Sequence, residues 1–351
     1  MKKKILIISS KKDYSRNIFL RETLNKEYYL SIFYFDGNFF IKNFKLISLI
    51  FFKFDLILIQ WPLWSSFFTI KILNFFMKKP IVYDAFTLIS EDYDDDTENK
   101  SSVIKSFYYG IEKYIFKNCD ALITDTKFHK SKILKIKQKI DKVEVIEVSQ
   151  KNLINMNKIN LKTKINLIHS GANRKLHNIP GIINLINNLP KKIKDKIKLN
   201  IVGWDYYDNH KKLIKKYNLE NYIKWIDRPN YNKLLNLLKK SDIALGVFGN
   251  TIKTHNIITN FMVLSCNLGK VIITKNTKAA KYYLGDNKGI VLLKKQSNFF
   301  FRRFLNKYVN SIEFRKKING ETKKIFFKNF NSTDKEKKIL SLFYKIFNRI
   351  N

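Results

Sequence analysis

The stretch GVFGNTIKTHNIITNFMVLSCNLGKVIIT, Gly246 to Thr274, carries Lys253, His255 and Asn260 between a tight Phe248-Gly249 turn and an apolar run closed by Gly269-Lys270. The layout reads strand, loop, helix, turn, strand. A loop leading into a helix start can hold phosphates, because the first N–H groups of a helix are unpaired and its dipole favours negative charge there. Where a nucleotide site would place a carboxylate stands Leu264. His255 has no motif that marks it as catalytic. Asp84 ends the run IVYDA and could orient an acceptor hydroxyl or take its proton. It could equally cap the following turn. Asp94, Asp95 and Asp96 read as a solvated acidic loop, since their surroundings do not suit an Asp-x-Asp metal pair. Trp204 and Tyr206 follow IVG and could stack on a base or simply pack.

These residues need a scaffold, and the apolar periodicity supplies one. KILIIS (4–9), YLSIFYF (29–35), DLILIQW (55–61), PIVYDAF (80–86), ALITDT (121–126) and KVEVIEV (142–148) read as strands with helical stretches between them. INLIHSG, IKLNIVG, YIKWID and DIALGVFG repeat the scheme in the second half. Strands alternating with helices make parallel sheets, which bind ligands beyond the carboxyl ends of their strands. The segment 101–119 reads as an amphipathic helix with Ile104, Phe107, Tyr108, Ile111, Tyr114 and Ile115 on one stripe. A polar, Asn-rich stretch at 150–162 separates the halves, and STDKEKKILSLFYKIFNRI reads as a terminal helix with a capping box at Thr333 and Glu336.

The 351 residues suit about two domains, and 45% hydrophobic content supports real cores. The formal charge of +38 admits three causes. With 11 Gly and 5 Pro among abundant Lys, Ile and Asn, an A+T-rich genome accounts for much of it. Docking on an anionic membrane ranks second. Nucleic-acid binding ranks third, because the lysines are dispersed and no nucleic-acid motif is present. Cys119 and Cys266 lie in apolar patterns and make neither a disulfide framework nor a metal cluster. The head MKKKILIISSKK is too short in apolar residues for a signal peptide. The run at 45–54 is too short for a transmembrane helix. A cytoplasmic protein is expected, peripheral on the inner membrane in one reading. The aromatic segments 38–54 and 61–79 are core-facing helices, an interfacial surface, or both.

SGANRKLHNIPGIINLI, then IVG through SDIALGVFG, then FGNTIKTHNIITNFMVLSCNLGKVIITKNT, resemble in order and spacing the GT-B glycosyltransferases of the group 1 type. KPIVYDAFTLISED and CDALITDTKFHK resemble the same branch. The resemblance is strongest from Ile165 to about Leu293. It implies an α/β fold of two Rossmann-like parallel-sheet domains facing a cleft, with the C-terminal helix crossing back. The domains would be 1–155 for the acceptor, 156–330 for the nucleotide sugar, and 331–351 for the terminal helix.

The implied reaction moves a sugar from a nucleotide-sugar donor to a surface-polysaccharide, lipopolysaccharide or lipid-linked acceptor. It would retain configuration and need no metal or cofactor. Nucleic acid is not among the implied partners. Asp84, His177 and Lys253 would be catalytic. Gly171, Asn178, Gly249, Thr251, Asn260 and Leu264 would line the donor site. In that arrangement Gly171, His177 and Asn178 face one side of the leaving diphosphate, and Thr251, Lys253 and Asn260 the other. The chain departs from the branch pattern at Asn256, Thr259, Phe261 and Leu264, where Arg, Pro, Lys and Glu or Gln are usual. Leu264 cannot hydrogen-bond a ribose. A catalytically impaired binding or partner protein is therefore the alternative. Asp125 and Thr126 of DTKFH read as helix caps.

Overall fold

The computed structural model describes residues 2–348 apart from 11, 13, 36–38, 97–100, 138–141, 154–163, 172–173, 206–207, 228, 286 and 295–297. Tyr206, the domain boundary expected at 155/156 and most of the expected linker lie outside the described residues. The chain divides into two compact units. Unit 1 comprises Met1–Tyr93, Asn99–Ser149 and Ser332–Asn351, and unit 2 comprises Asp94–Glu98 and Gln150–Asn331.

Unit 1 is built on β1 (Lys4–Ser9), β2 (Tyr29–Tyr34), β3 (Leu56–Ile59), β4 (Ile81–Ala85), β5 (Ala121–Thr124) and β6 (Val143–Val145). They pair in parallel in the order β2-β1-β3-β4-β5-β6. Central strands such as LILI are apolar at every position because helices cover both faces of the sheet. Alternation along β1 sends Ile5 and Ile7 into one core and Leu6 and Ile8 into the other. The first of these cores is completed by Ile339, Leu342, Phe343 and Phe347 of the terminal helix Ser332–Asn348. That helix starts one residue before the expected cap, so Thr333 lies inside it, and Glu336 pairs with Lys26.

The helix Ser102–Asn118 buries only part of the expected stripe, with Ile115 in the core and Tyr108 and Ile111 packed against it. Glu112, Ile115 and Phe116 are buried, whereas Ile104, Phe107 and Tyr114 are exposed. The periodicity is helical, but the chain supplies apolar residues around more than one face. The aromatic helices Phe39–Ile47 and Phe67–Met77 divide similarly. Leu46, Phe67 and Ile70 face the core, while Phe40 is 82% exposed and Phe75 76%.

Unit 2 is built on β7 (Ile165–Ser170), β8 (Ile197–Gly203), β9 (Ile223–Asp227), β10 (Ile243–Leu245), β11 (Val271–Lys275) and β12 (Ile290–Leu293). They are parallel in the order β12-β11-β10-β7-β8-β9. The helix Ile179–Asn187 buries Ile179, Ile182, Ile183, Leu185 and Ile186 against this sheet. Asn178 starts it in the left-handed region, at φ 46°, and its side chain accepts from Gly181 N at 3.2 Å.

Candidate active site

The winding of the strands in unit 2 reverses between β7 and β10. β7 leads to β8 on one side, and β10 leads to β11 on the other. The crevice beyond the carboxyl ends of such a strand pair is where open α/β sheets take ligands. Gly171 follows β7, and Gly246 to Lys253 follow β10.

Two glycines allow this end of the sheet to close up. A Cβ on Gly171 would lie 2.2 Å from Nδ1 of His177. A Cβ on Gly249 would lie 2.2 Å from the Lys175 carbonyl oxygen. Gly249 N donates to Leu176 O at 2.8 Å, and Asn178 Nδ2 reaches Phe248 O at 3.4 Å. The turn Lys175–Asn178 is thus pinned to the loop after β10.

His177 is buried, with its ring edge-on to His169 at 5.1 Å. Nδ1 of His169 donates to Leu245 O at 2.9 Å, which makes Nε2 the acceptor of the neutral ring. Burial pushes the His169 pKa down to about 4. Burial, then the positive fields of His169, Lys253 and Arg174, hold His177 well below the ordinary imidazole range. Its Nδ1 meets no hydrogen-bond partner. Burial, the largest cause, keeps His177 a neutral ring, and Lys253 and Arg174 are cations whose fields act in the same direction.

Thr251 caps the short helix Ile252–Asn256 and accepts from Thr254 N at 3.1 Å. Lys253 is buried in its first turn. Asn260 is half-buried and opens the helix Asn260–Asn267, capped by Thr259 through Met262 N at 3.3 Å. Thr259 thus stands in for the usual Pro by capping the helix. Leu264, Phe261 and Asn256 are all buried. Leu264 and Phe261 belong to the packing of a helix covered on all sides.

Two residues that sequence reasoning passed over, Lys275 and Arg174, and one it misread, Asp95, also belong here. Lys275, at the end of β11, donates to Gly249 O at 2.8 Å and contacts Asn250. A lysine closing the apolar run VIITK was the available signal. Arg174 pairs with Asp96 at 3.5 Å. Asp95 is buried and reaches Leu176, Thr251 and Lys253, which corrects the reading of Asp94–Asp96 as a solvated loop. Asp95 continues the stripe Leu88–Glu91, at a spacing of three and then four residues, and such a stripe packs on one side of a helix.

In unit 1, Asp84 is fully buried and paired with Arg16, whose Nε and Nη2 reach Asp84 Oδ1 at 3.0 and 2.8 Å. Arg16 Nη1 donates to Ile146 O at 2.7 Å. Asp84 is thus held by an arginine and does not cap the turn that follows it. Burial raises its pKa, and Arg16 opposes the rise. Asp125 likewise does not cap. It pairs with His129 Nδ1 at 2.6 Å, while Thr126 alone caps through His129 N at 3.2 Å. Trp204 is 39% exposed after β8. Among the described residues no group of three or more His, Cys, Asp or Glu is placed to hold a metal ion. No described helix is long and apolar enough to cross a membrane.

Residues 150–246 match the family described as glycosyl transferases group 1. The chain is 28% identical over 312 residues to the uncharacterized glycosyltransferase MJ1069 of Methanocaldococcus jannaschii, covering 82% of this chain and 74% of that one. Its fold is similar to the sucrose-phosphate synthase of Thermosynechococcus elongatus, at a TM-score of 0.78 and 12% identity, over 99% of this chain and 100% of that one. It is also similar to Anabaena HepE in complex with UDP and glucose, at a TM-score of 0.74 and 11% identity, over 98% and 100% of the two chains.

Proposed function

Starting from a chain that is a GT-B glycosyltransferase of the group 1 type, we propose that it moves a sugar from a nucleoside-diphosphate donor held by unit 2. The acceptor is a surface-polysaccharide, lipopolysaccharide or lipid-linked saccharide. Configuration is retained and no metal or cofactor takes part. The observation that supports this most is the gathering of Lys253, Thr251 and the neutral His177 beyond β7 and β10, at the reversal point of a parallel sheet.

Loss of the nucleotide leaves negative charge on a diphosphate. Groups fixed beforehand around that charge lower the barrier without reorganising. In this reading the Lys253 ammonium, the Thr251 hydroxyl and the His177 ring supply them, with Gly171 and Gly249 letting backbone approach. Asn178, Asn260 and the surface of Leu264 shape the donor pocket. Asp84, locked to Arg16, positions the end of β4, and a base role falls to another group. HepE, a protein of similar fold, binds UDP and glucose. The test is a thermal-shift titration with UDP-, GDP- and CMP-linked sugars. One nucleotide class should raise the melting temperature saturably, and a flat response to all three would refute the donor site.

The exposed aromatic face of unit 1 supports a peripheral position on an anionic inner-membrane surface, with the protein cytoplasmic. Phe40, Phe44, Phe68, Phe75 and Phe76 are exposed, and Lys45, Lys78, Lys105 and Lys113 are exposed on the same and neighbouring helices. A lysine near such a surface contributes about 1 kcal/mol. Replacing Phe75 and Phe76 with Asp should abolish co-sedimentation with phosphatidylglycerol vesicles and leave nucleotide binding intact. Undiminished sedimentation would remove the membrane from this account. Burial of Leu264, Phe261 and Asn256 supports the second reading, a partner protein that binds a donor without turnover. Sugar transfer in single-turnover conditions would exclude it.

A further inference from the structure

The helix Ile89–Asp96 ends in three aspartates, and the middle one is fully buried. Asp95 Oδ1 accepts from Leu176 N at 2.7 Å and from Thr251 Oγ1 at 3.3 Å. Its Oδ2 has no hydrogen-bond partner and lies 3.9 Å from Nζ of Lys253. Its backbone oxygen accepts from Lys175 N at 3.2 Å. A backbone N–H just ahead of a helix start, a hydroxyl and an ammonium surround one carboxylate. That is the donor set of an anion site. The carboxylate fills it poorly. The ammonium is beyond hydrogen-bond distance, one oxygen is unpaired, and burial raises the Asp95 pKa more than Lys253, Leu176, Arg174 and Thr251 lower it.

We propose that Asp95 is a built-in anion occupying the diphosphate cradle of the ligand-free protein, and that the donor binds by displacing it. The proposal rests on the donor-site reading of Thr251 and Lys253. Two anions cannot share the cradle, since their repulsion in a buried site is strong. A self-occupied cradle lowers apparent donor affinity by the fraction of molecules in which the carboxylate is seated. It also keeps Lys253 and the Leu176 N–H aligned while the site is empty, so the donor meets a pre-arranged set of groups. The poor fit of Oδ2 makes displacement achievable.

The experiment is calorimetric titration of the full chain with inorganic pyrophosphate and, separately, with UDP. Asp95→Asn keeps an acceptor oxygen for Leu176 N and removes the charge. Pyrophosphate should bind this variant about tenfold more tightly than the natural chain. Adding Lys253→Ala should erase the gain. Asp95→Ser repeats the measurement if the Asn variant melts early. Equal or weaker pyrophosphate binding in a folded charge-free variant overturns the proposal. If UDP binds the natural chain and removing the charge changes nothing, the donor reading survives and this inference fails. Tighter pyrophosphate with no nucleotide binding leaves Asp95 as the occupant of an anion site but refutes the donor reading and, with it, displacement by a donor.

Discussion

The two sheets both gather ionisable groups at the carboxyl ends of their strands, and they treat them in opposite ways. In unit 1 the groups are closed on one another. Arg16 grips Asp84, and His129 bridges Asp125 and Glu91, which also pairs with Lys132. Burial works against a charged His129, but Asp125 and Glu91 more than offset it and lift its pKa to about 10. Burial works against Glu91 too, and His129 and Lys132 bring it down to about 2. At the reversal point of the same sheet, between β1 and β3, Asn17 Nδ2 donates to Ser9 Oγ and Trp61 O, and Gln60 Nε2 donates to Asn17 O, while Gln60 Oε1 meets no hydrogen-bond partner among the described residues. In unit 2 the corresponding ends hold neutral histidines, an Nδ1 with no partner and a carboxylate 3.9 Å from its lysine. A closed charge network holds a fold together, while an incomplete one at a strand-end crevice has capacity for a ligand.

The largest effect that would break this contrast is in unit 1. His129→Ala leaves Glu91 and Asp125 facing each other without a buried cation. It should lower unfolding stability by about 3–5 kcal/mol in denaturant titration, with nucleotide affinity of the folded protein unchanged. A loss of affinity instead would put the donor site in the wrong unit. Next is Gly171→Ala, whose methyl must displace the His177 ring. It should cost about a hundredfold in kcat/KM for sugar transfer with a smaller change in melting temperature.

A pH effect is smaller. Burial raises Glu112 to about 7, although Ser90 donates to it. Its folded pKa exceeds its unfolded value, so its stabilising contribution is complete below about pH 4.5 and is lost as pH rises through about 7. Glu112→Gln should flatten that slope and leave the variant about 2 kcal/mol more stable than the parent at pH 8, measured by denaturant unfolding across the range. An unchanged slope would show that Glu112 does not carry it.

Much of the fold is legible in the chain because parallel strands buried on both faces must be apolar at every position. ILII, LILI, ALIT and VIIT stand out from their lysine-rich surroundings for that reason. The helix Ser102–Asn118 was legible in period and only partly in facing. Ile115 is in the core as its period suggests, but Phe107 and Tyr114 are exposed while Glu112, bonded to Ser90, is buried. At the site, Gly171, His177, Asn178, Gly249, Thr251 and Lys253 come together at one end of the unit 2 sheet. Asp95 was hidden by its company. Three consecutive aspartates read as solvated; the helical spacing from Leu88 and Glu91 sets the middle one apart, and its contacts distant in sequence make that decisive. Neither sequence reading of Asp84, acceptor positioning or turn capping, could include Arg16, 68 residues away, which holds it in the fold.

The central claim is that unit 2, through Lys253, holds the donor's diphosphate. Nucleotide affinity by calorimetry in the natural chain, in Lys253→Ala and in Lys132→Ala tests it most directly. One nucleotide should bind the natural chain. Lys253→Ala should weaken it by about tenfold or more, as expected for loss of a charge-assisted contact. Lys132→Ala, which touches only the closed network of unit 1, should bind as the natural chain does. Affinity lost with Lys132 and kept without Lys253 would contradict the account.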